Sequence, residues 1–425
     1  MTRRLRLREG RLADLGVLRA PPLARALALL NAGGEEARLV GGAVRDLLLG
    51  DPPGDFDLAT TATPEVVMAR AKAGGIGFAP TGVAHGTVTL ILDGRPIETT
   101  TLRQDVETDG RRAKVRFGRD FAADARRRDF TINALSLDAG GFVHDDVGGL
   151  ADLAAGRVRF IGEPRRRISE DFLRILRFLR FSARFGDGRL DVEGFAAAVA
   201  ERAGLATLSA ERVRAELLKI LTARLGPAAL AEADGAGLIA PLLGGIARPA
   251  RLERTAAIEM ARGAPPDALL RLAALAVAVR EDAERLRERL RLSNLESERL
   301  GGAARALETL HGLTAPPSLG DLRVLLFEHG RGAALDAATL AHAQSGAAAD
   351  DARWLAAYRF LSDTPPPRLP FTGADLVARG VAPGRGVGEA LKTLQAKWIS
   401  AGFPREPEAL ARLLSEALGE ARGND

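Results

Sequence analysis

The sequence predicts an α+β protein: a small head with a mixed β-sheet and helices, followed by an all-α neck, body and tail. Three observations carry that prediction. Strand signals are confined to residues 36–160. From about residue 165 the texture changes to Ala-Leu-Arg-Glu segments of helical period. Pro and Gly clusters near 241–250, 263–266, 315–320 and 364–373 cut the helical part into pieces. The expected division is a head over 1–160, a neck over 161–225, and a body and tail over 226–425.

Each element follows from its residues. Residues 1–30 read as helical and peripheral, with Ala-Leu periodicity after Pro22. RLV (38–40) is a short strand closed by Gly41-Gly42, and DFDL (55–58) is a second. Thr63-Pro64 is a helix cap followed by a first-turn proline. TVTLIL (87–92), Asp93-Gly94 and RPIETTTL (95–102) spell a β-hairpin with a two-residue turn. Residues 103–125 are polar and read as an irregular, mobile loop. FTINALSLD (130–138) and GGFVHD (140–145) return to strand character, and helices are expected over 169–185, 192–202 and 209–223.

Composition excludes several classes. No run of about 18 apolar residues exists, so no membrane span is expected. The start, MTRRLRLREG, has no apolar stretch, so no signal peptide is expected. With no cysteine there is no disulfide partner and no thiolate metal site, and the cytoplasm fits best. Of 60 basic residues 55 are arginine, and the net charge is +5. Arginine grips phosphate bidentately. The same richness also reads as the composition of a high-GC genome, so charge alone permits a polyanionic partner without requiring one.

The chemistry-bearing segments are three. In LVGGAVRDLLLG (39–50) a strand ends in two glycines and a helix begins at once, which lets a phosphate approach the backbone beside Arg45. Asp55 and Asp57, two apart on a strand, would share a face. Paired carboxylates repel unless a cation lies between them, and hard oxygen ligands suit Mg2+. A solvated acidic loop is the competing reading. Glu98, on the hairpin strand, is a possible third carboxylate. In RRDFTINAL (127–135), Arg128 suits a triphosphate, while Asp129 and Asn133 suit a ribose hydroxyl or the orienting of arginines. In SEDFLRILRFLRFSARF (169–185), Ser169 reads as the helix cap, and Asp171, Arg174, Arg177 and Arg180 wind around an otherwise apolar helix. Arg174, three residues beyond Asp171, is placed to pair with it and offer a fixed edge to a nucleobase.

These segments, with TGVAHGTVTL, IETTTLR, HDDVGGLADL and LSAERVRAELLKIL, occur in an order that closely resembles class II CCA-adding enzymes and the bacterial poly(A) polymerases of the same superfamily. The resemblance covers about residues 40–221. It implies template-independent addition of C, C and A to the 3′ end of tRNA from CTP and ATP, with pyrophosphate released. It implies that Asp55 and Asp57 are catalytic and hold Mg2+ in a two-metal-ion site. It implies that Gly42, Arg45 and Arg128 contact the nucleotide, and that Asp171 and Arg174 select it with support from Arg177 and Arg180. Within the superfamily, poly(A) synthesis or CC-only and A-only addition stay open. A non-catalytic RNA-binding protein is the more distant alternative. His144-Asp145 lies inside the head and reads as structural rather than as part of a phosphohydrolase.

Overall fold

The computed structural model describes residues 5–108 and 113–422. The chain divides into two compact units, residues 1–242 and 243–425. The fold is the α+β class expected.

The first unit holds eleven strands among its described residues. A short hairpin of β1 (Leu7–Arg8) and β2 (Arg11–Leu12) comes first, where a helix was expected. Glu9 and Gly10 between these strands both have positive φ, which suits a tight turn and not a helix. The helices Gly16–Arg19 and Pro21–Leu30 follow. The main sheet contains β3 (Ala37–Val40), β4 (Asp57–Thr60), β5 (Gly77–Gly82), β6 (Thr87–Leu92), β7 (Arg95–Thr101), β10 (Ser136–Leu137) and β11 (Val143–His144). Its spatial order is β11-β10-β3-β4-β7-β6-β5. Only β4 and β7 pair in parallel; the other pairs are antiparallel. Leu39, Leu58, Val88, Leu90 and Ile97 are fully or almost fully buried and form the sheet's apolar face. The hairpin turn is Asp93-Gly94, with φ of 52° and 75°, as a twisted two-residue connection demands.

Three expectations need correction. The second strand begins at Asp57, and Asp55 lies in a bend before it. The polar segment after residue 102 is regular: β8 (Arg103–Thr108) pairs with β9 (Ala113–Phe117), and a helix, Phe121–Arg126, follows. Cross-strand backbone pairing satisfies the polar backbone of that segment, which its side-chain composition did not reveal. Residues 109–112, at the centre of the expected loop, lie outside the described residues. FTINALSLD is mostly not strand. Its Thr131–Asn133 is a turn of 3-10 helix before β10.

Helix Leu173–Phe185 is attached to the sheet side by an aromatic cluster. Phe130 meets Phe160 at 4.8 Å and Phe181 at 5.4 Å, and Phe160 stacks on Phe178 at 5.5 Å. Such contacts add roughly 0.5–1.5 kcal/mol per pair beyond area burial. Phe130 belongs to RRDFTINAL, so one packing event fixes two of the three chemical segments against each other.

The second unit is helical throughout its described residues. Helices run over Pro249–Ala261, Ala268–Ala276, Arg280–Leu290, Asn294–Glu308, Leu319–Gln344, Ala352–Asp363, Gly373–Val377, Arg385–Ser400 and Pro407–Arg422. The longest is kinked at Gly330, whose φ of 74° no helix interior allows. Two arginines find their partners inside: Arg251 donates to the carbonyls of Ala273, Ala274 and Val277, and Arg299 bridges Asp267 and Asp336. His342 stacks on Trp354 at 4.8 Å. Its Nε2 lies 2.9 Å from the Ala348 carbonyl, and its Nδ1 lies 2.9 Å from the Tyr358 hydroxyl.

Candidate functional site

A cleft of about 670 Å³ in the first unit gathers most of the residues singled out in the sequence. Gly41 and Gly42, Arg45, Asp57, Glu98, Arg128, Asp129, Asn133, Asp171, Arg174, Arg177 and Arg180 all line it. Asp55 does not line it, but it lies close enough to act on the charge of Asp57.

One wall is the turn between β3 and helix Gly42–Leu49. Gly41 adopts φ 71°, ψ −130°, a conformation that side chains with a Cβ rarely reach. A Cβ there would stand 3.1 Å from Arg128 Nη1. The helix is held by buried Val44 and Leu48, yet Arg45 and Asp46 are also buried. The guanidinium of Arg45 donates from Nε and Nη2 to Asp46 Oδ1 at 3.0 and 2.8 Å and from Nη1 to Asn133 Oδ1. It lies 3.9 Å above the Phe185 ring. Burial pulls its pKa down, and Asp46 opposes that shift. A buried arginine with its partners on one flank is a rigid, preorganised donor.

The floor is the β4–β7 pair. Parallel register sets Asp57 directly beside Glu98. Asp57 is solvent-accessible and lines the cleft. Burial, and then the neighbouring Glu98 and Asp55 carboxylates, push Asp57 up to about 6, against the pull of Arg128. Mutual repulsion of this kind is what a cation would relieve. Among the described residues no three His, Cys, Asp or Glu side chains form a group that could hold a metal ion. The paired carboxylates of Asp57 and Glu98 are hard oxygen donors, which suit a small dication that takes one or two carboxylates and completes its shell with phosphate oxygens and water.

The RRDFTINAL segment is a relay of oriented charges. Asp124, buried on helix Phe121–Arg126, takes Arg127 at 2.5 Å and Arg128 at 3.2 Å. Asp129 accepts from Arg177 at 2.5 and 2.8 Å and from Asn133 Nδ2 at 3.3 Å. Asp129 and Asn133 thus orient Arg177 and Arg45.

The third segment departs from expectation. Helix Pro164–Glu170 is capped by Glu163, not Ser169, and Asp171 is extended (φ −158°, ψ 105°) between it and the next helix. Asp171 Oδ1 accepts from the Leu173 amide at 3.1 Å, so the carboxylate turns to start that helix. Its Oδ2 accepts from Arg212 at 2.7 Å. Arg174 therefore does not pair with the Asp171 side chain. Arg174 donates to Glu170 Oε2 at 2.6 Å and to the Arg167 carbonyl at 2.5 Å. Arg180 does not support Asp171 either. It lies 2.9 Å from Glu216 and 4.3 Å above the Phe181 ring. The physical cause is competition: the two Asp171 oxygens are already taken by the Leu173 amide and Arg212, and Arg174 is held by Glu170 and the Arg167 carbonyl.

Sequence reasoning did not assign Asp124, Glu170, Arg212 and Glu216 as ion-pair partners of cleft residues, which each of them is. Asp124 was findable, since it stands three and four residues before Arg127 and Arg128 on a helix. Glu170 was findable likewise, four before Arg174. Arg212 and Glu216 lie on helix Ala210–Thr222, far along the chain, and carry no local signal.

Elsewhere, His144 sits 2.9 Å from Asp138 within the sheet edge. No helix among the described residues is long and apolar enough to cross a membrane.

The chain is similar to several known proteins. Residues 37–159 match the model of the poly A polymerase head domain. The mitochondrial CCA tRNA nucleotidyltransferase 1 of Mus musculus is 48% identical over 190 residues, 44% of this chain and 44% of that protein. The match thus spans less than half the length of that relative. The CCA-adding enzyme of Limosilactobacillus fermentum is 32% identical over 401 residues, 92% of this chain and 96% of its own. Among solved structures, the Bacillus stearothermophilus CCA-adding enzyme in complex with CTP matches with a TM-score of 0.71 at 28% identity, covering 95% of this chain and 98% of that one.

Proposed function

This chain belongs to the family of CCA-adding enzymes, and from that premise we propose that it adds C, C and A to the 3′ end of tRNA, using CTP and ATP and no template. The observation that carries the proposal is one cleft holding a glycine turn, the Asp57–Glu98 register pair and a row of fixed arginines. In this reading residues 1–160 form the catalytic head, 161–225 the neck, and 226–425 the body and tail that hold tRNA. The cytoplasm is the proposed compartment.

The reaction is an in-line displacement. The tRNA 3′-hydroxyl oxygen attacks the α-phosphorus of the nucleotide. A P–O bond forms as the hydroxyl proton passes to solvent, the bond from the α-phosphorus to the α–β bridging oxygen breaks, and pyrophosphate departs with the electron pair. Mg2+, held by Asp55 and Asp57 with Glu98 beside them, would supply Lewis acidity to the hydroxyl and offset charge on the phosphates. Arg45, locked by Asp46 and Asn133, and Arg128, braced by Asp124, aim cations at the triphosphate beside the Gly41–Gly42 turn. Their partners fix them before substrate arrives, so little reorganisation is needed in the transition state. Asp171 and Arg174 present acceptor and donor edges to the base. Each is held by its own partner, Arg212 and Glu170, so selection rests on two clamps instead of one pair. Arg177, fixed by Asp129, faces the same cleft.

Incorporation of labelled CTP and ATP into tRNA ending at the discriminator base tests the proposal. Addition of C, C and A, with C alone from CTP, is the expected result. Long A tails would support poly(A) synthesis, the activity named by the matching head-domain model. Arrest after CC, or addition of A only, would indicate a partial activity. RNA binding with no incorporation would indicate a non-catalytic role.

A further inference from the structure

A second cavity, of about 400 Å³, opens beside the cleft and has no role in the reaction described above. It is lined by Arg180, Phe181, Arg184, Lys219, Thr222, Ala223 and Arg224. It lies between the ends of helices Leu173–Phe185 and Ala210–Thr222. Four of its seven lining residues are cationic and none is acidic. Arg180, Phe181 and Arg184 also line the cleft, so the two spaces share a wall.

The cations are only partly neutralised. Arg180 is balanced by Glu216 at 2.9 Å. Arg184 lies 4.8 Å over Phe185 and no closer than 3.8 Å to Asp46. Arg224 donates to the neutral Gly186 carbonyl at 2.8 Å, which fixes it without cancelling its charge. Lys219 is exposed, and among the described residues it has no ion-pair partner. Burial lowers the pKa of Arg180, and the positive charges of Arg177 and Arg184 add to that shift. Cations at helix C-termini also complement the helix dipole. That accounts for Arg184, Lys219 and Arg224 one at a time. It does not account for their convergence with Arg180 on one concave surface with a wall open to the cleft.

We propose that this cavity is a second phosphate site, taking a backbone phosphate of the RNA primer behind its reacting 3′ end. The identity of the RNA rests on the functional reading above; the phosphate chemistry does not. Free pyrophosphate offers the same chemistry, so the test separates the two sources. Lys219 is the probe because it is exposed and does not line the cleft.

The experiment measures tRNA affinity of the full chain against salt for wild type, Lys219→Ala and Lys219→Glu, with thermal melts alongside. Steady-state kinetics for CTP and inhibition by pyrophosphate are run in parallel. One lost phosphate contact should lower the slope of log affinity against log salt by about 0.7–0.9 and weaken binding several-fold at moderate salt. Lys219→Glu should weaken it further, while KM for CTP stays unchanged. Pyrophosphate inhibition that weakens while the salt slope holds would overturn the RNA assignment in favour of free pyrophosphate. A slope and an inhibition constant both equal to wild type would overturn the site, leaving only dipole compensation visible as a small drop in Tm. If wild type adds no nucleotide to tRNA, the functional reading fails, and a slope change still reads the phosphate site by itself.

Discussion

Replacing Gly41 by alanine tests how the turn builds the cleft. The residue holds φ 71° and ψ −130°, where a Cβ is strained whatever space is available. Forcing an L-residue there costs on the order of 1–3 kcal/mol. The new Cβ would also stand 3.1 Å from Arg128 Nη1, closer than most real contacts. Arg128 must then shift from its bonds to Asp124 and to the Asn133 carbonyl, the latter only 3.4 Å long. Losing one such bond adds about 0.5–1.5 kcal/mol, for a total of roughly 2–4 kcal/mol. Gly42 is the internal control. It is helical, and its Cβ would meet Arg45 Nη2 at 3.4 Å, an ordinary contact. Alanine there gains helix propensity of up to about 1 kcal/mol. Denaturation followed by circular dichroism should therefore show Gly41→Ala melting lower by roughly 4–16 °C, with Gly42→Ala within a few degrees of wild type. Gly41→Ala should also raise KM for CTP, because Arg128 is displaced. Equal melting of the two variants would refute the account, since both would then be sterically equivalent.

Further outcomes follow from the same geometry. Asp57→Asn should reduce nucleotide incorporation by at least about a hundredfold while tRNA affinity in a filter-binding assay stays within about twofold, the pattern of a lost transition-state interaction. Arg212→Ala frees the Asp171 carboxylate. The pair is half exposed, so the melt should change by less than about 1 kcal/mol, yet the ratio of CTP to ATP kcat/KM should move; an unchanged ratio would remove Arg212 from base selection. Burial holds His342 below its ordinary pKa. The unfolded chain then binds a proton that the folded one refuses, so stability is present above about pH 6.5 and is lost as pH falls below it. Melts between pH 7.5 and 5.5 should show that slope, and His342→Gln should flatten it while lowering the melt at pH 7.5.

The order of segments was legible in the sequence because local rules wrote them. Asp93-Gly94 between alternating apolar runs could hardly be other than a hairpin turn. The glycine pair ending a strand before Val44, Leu47 and Leu48 marked a strand-to-helix turn with Arg45 beside it. Two misreadings had different causes, one non-local and one local. Residues after 102 looked irregular because cross-strand pairing is a property of two segments, invisible in either alone. Ser169 looked like a cap because its neighbours suit a helix N-terminus, but Glu163 supplied a better one behind Pro164, and the chain broke at Asp171 instead.

By itself, then, the amino-acid order determined which residue types were available and in what succession: the glycine turn, the acids, and the arginines along an apolar helix. Only the tertiary structure decided their partners. Parallel pairing of β4 with β7 put Glu98 beside Asp57, the phenylalanine cluster pressed the arginine-bearing helix onto the cleft, and helix Ala210–Thr222 delivered Arg212 and Glu216. Coulomb attraction and hydrogen bonding act over a few ångströms of space regardless of separation in sequence, so which acid holds which arginine is fixed only when distant segments have packed together.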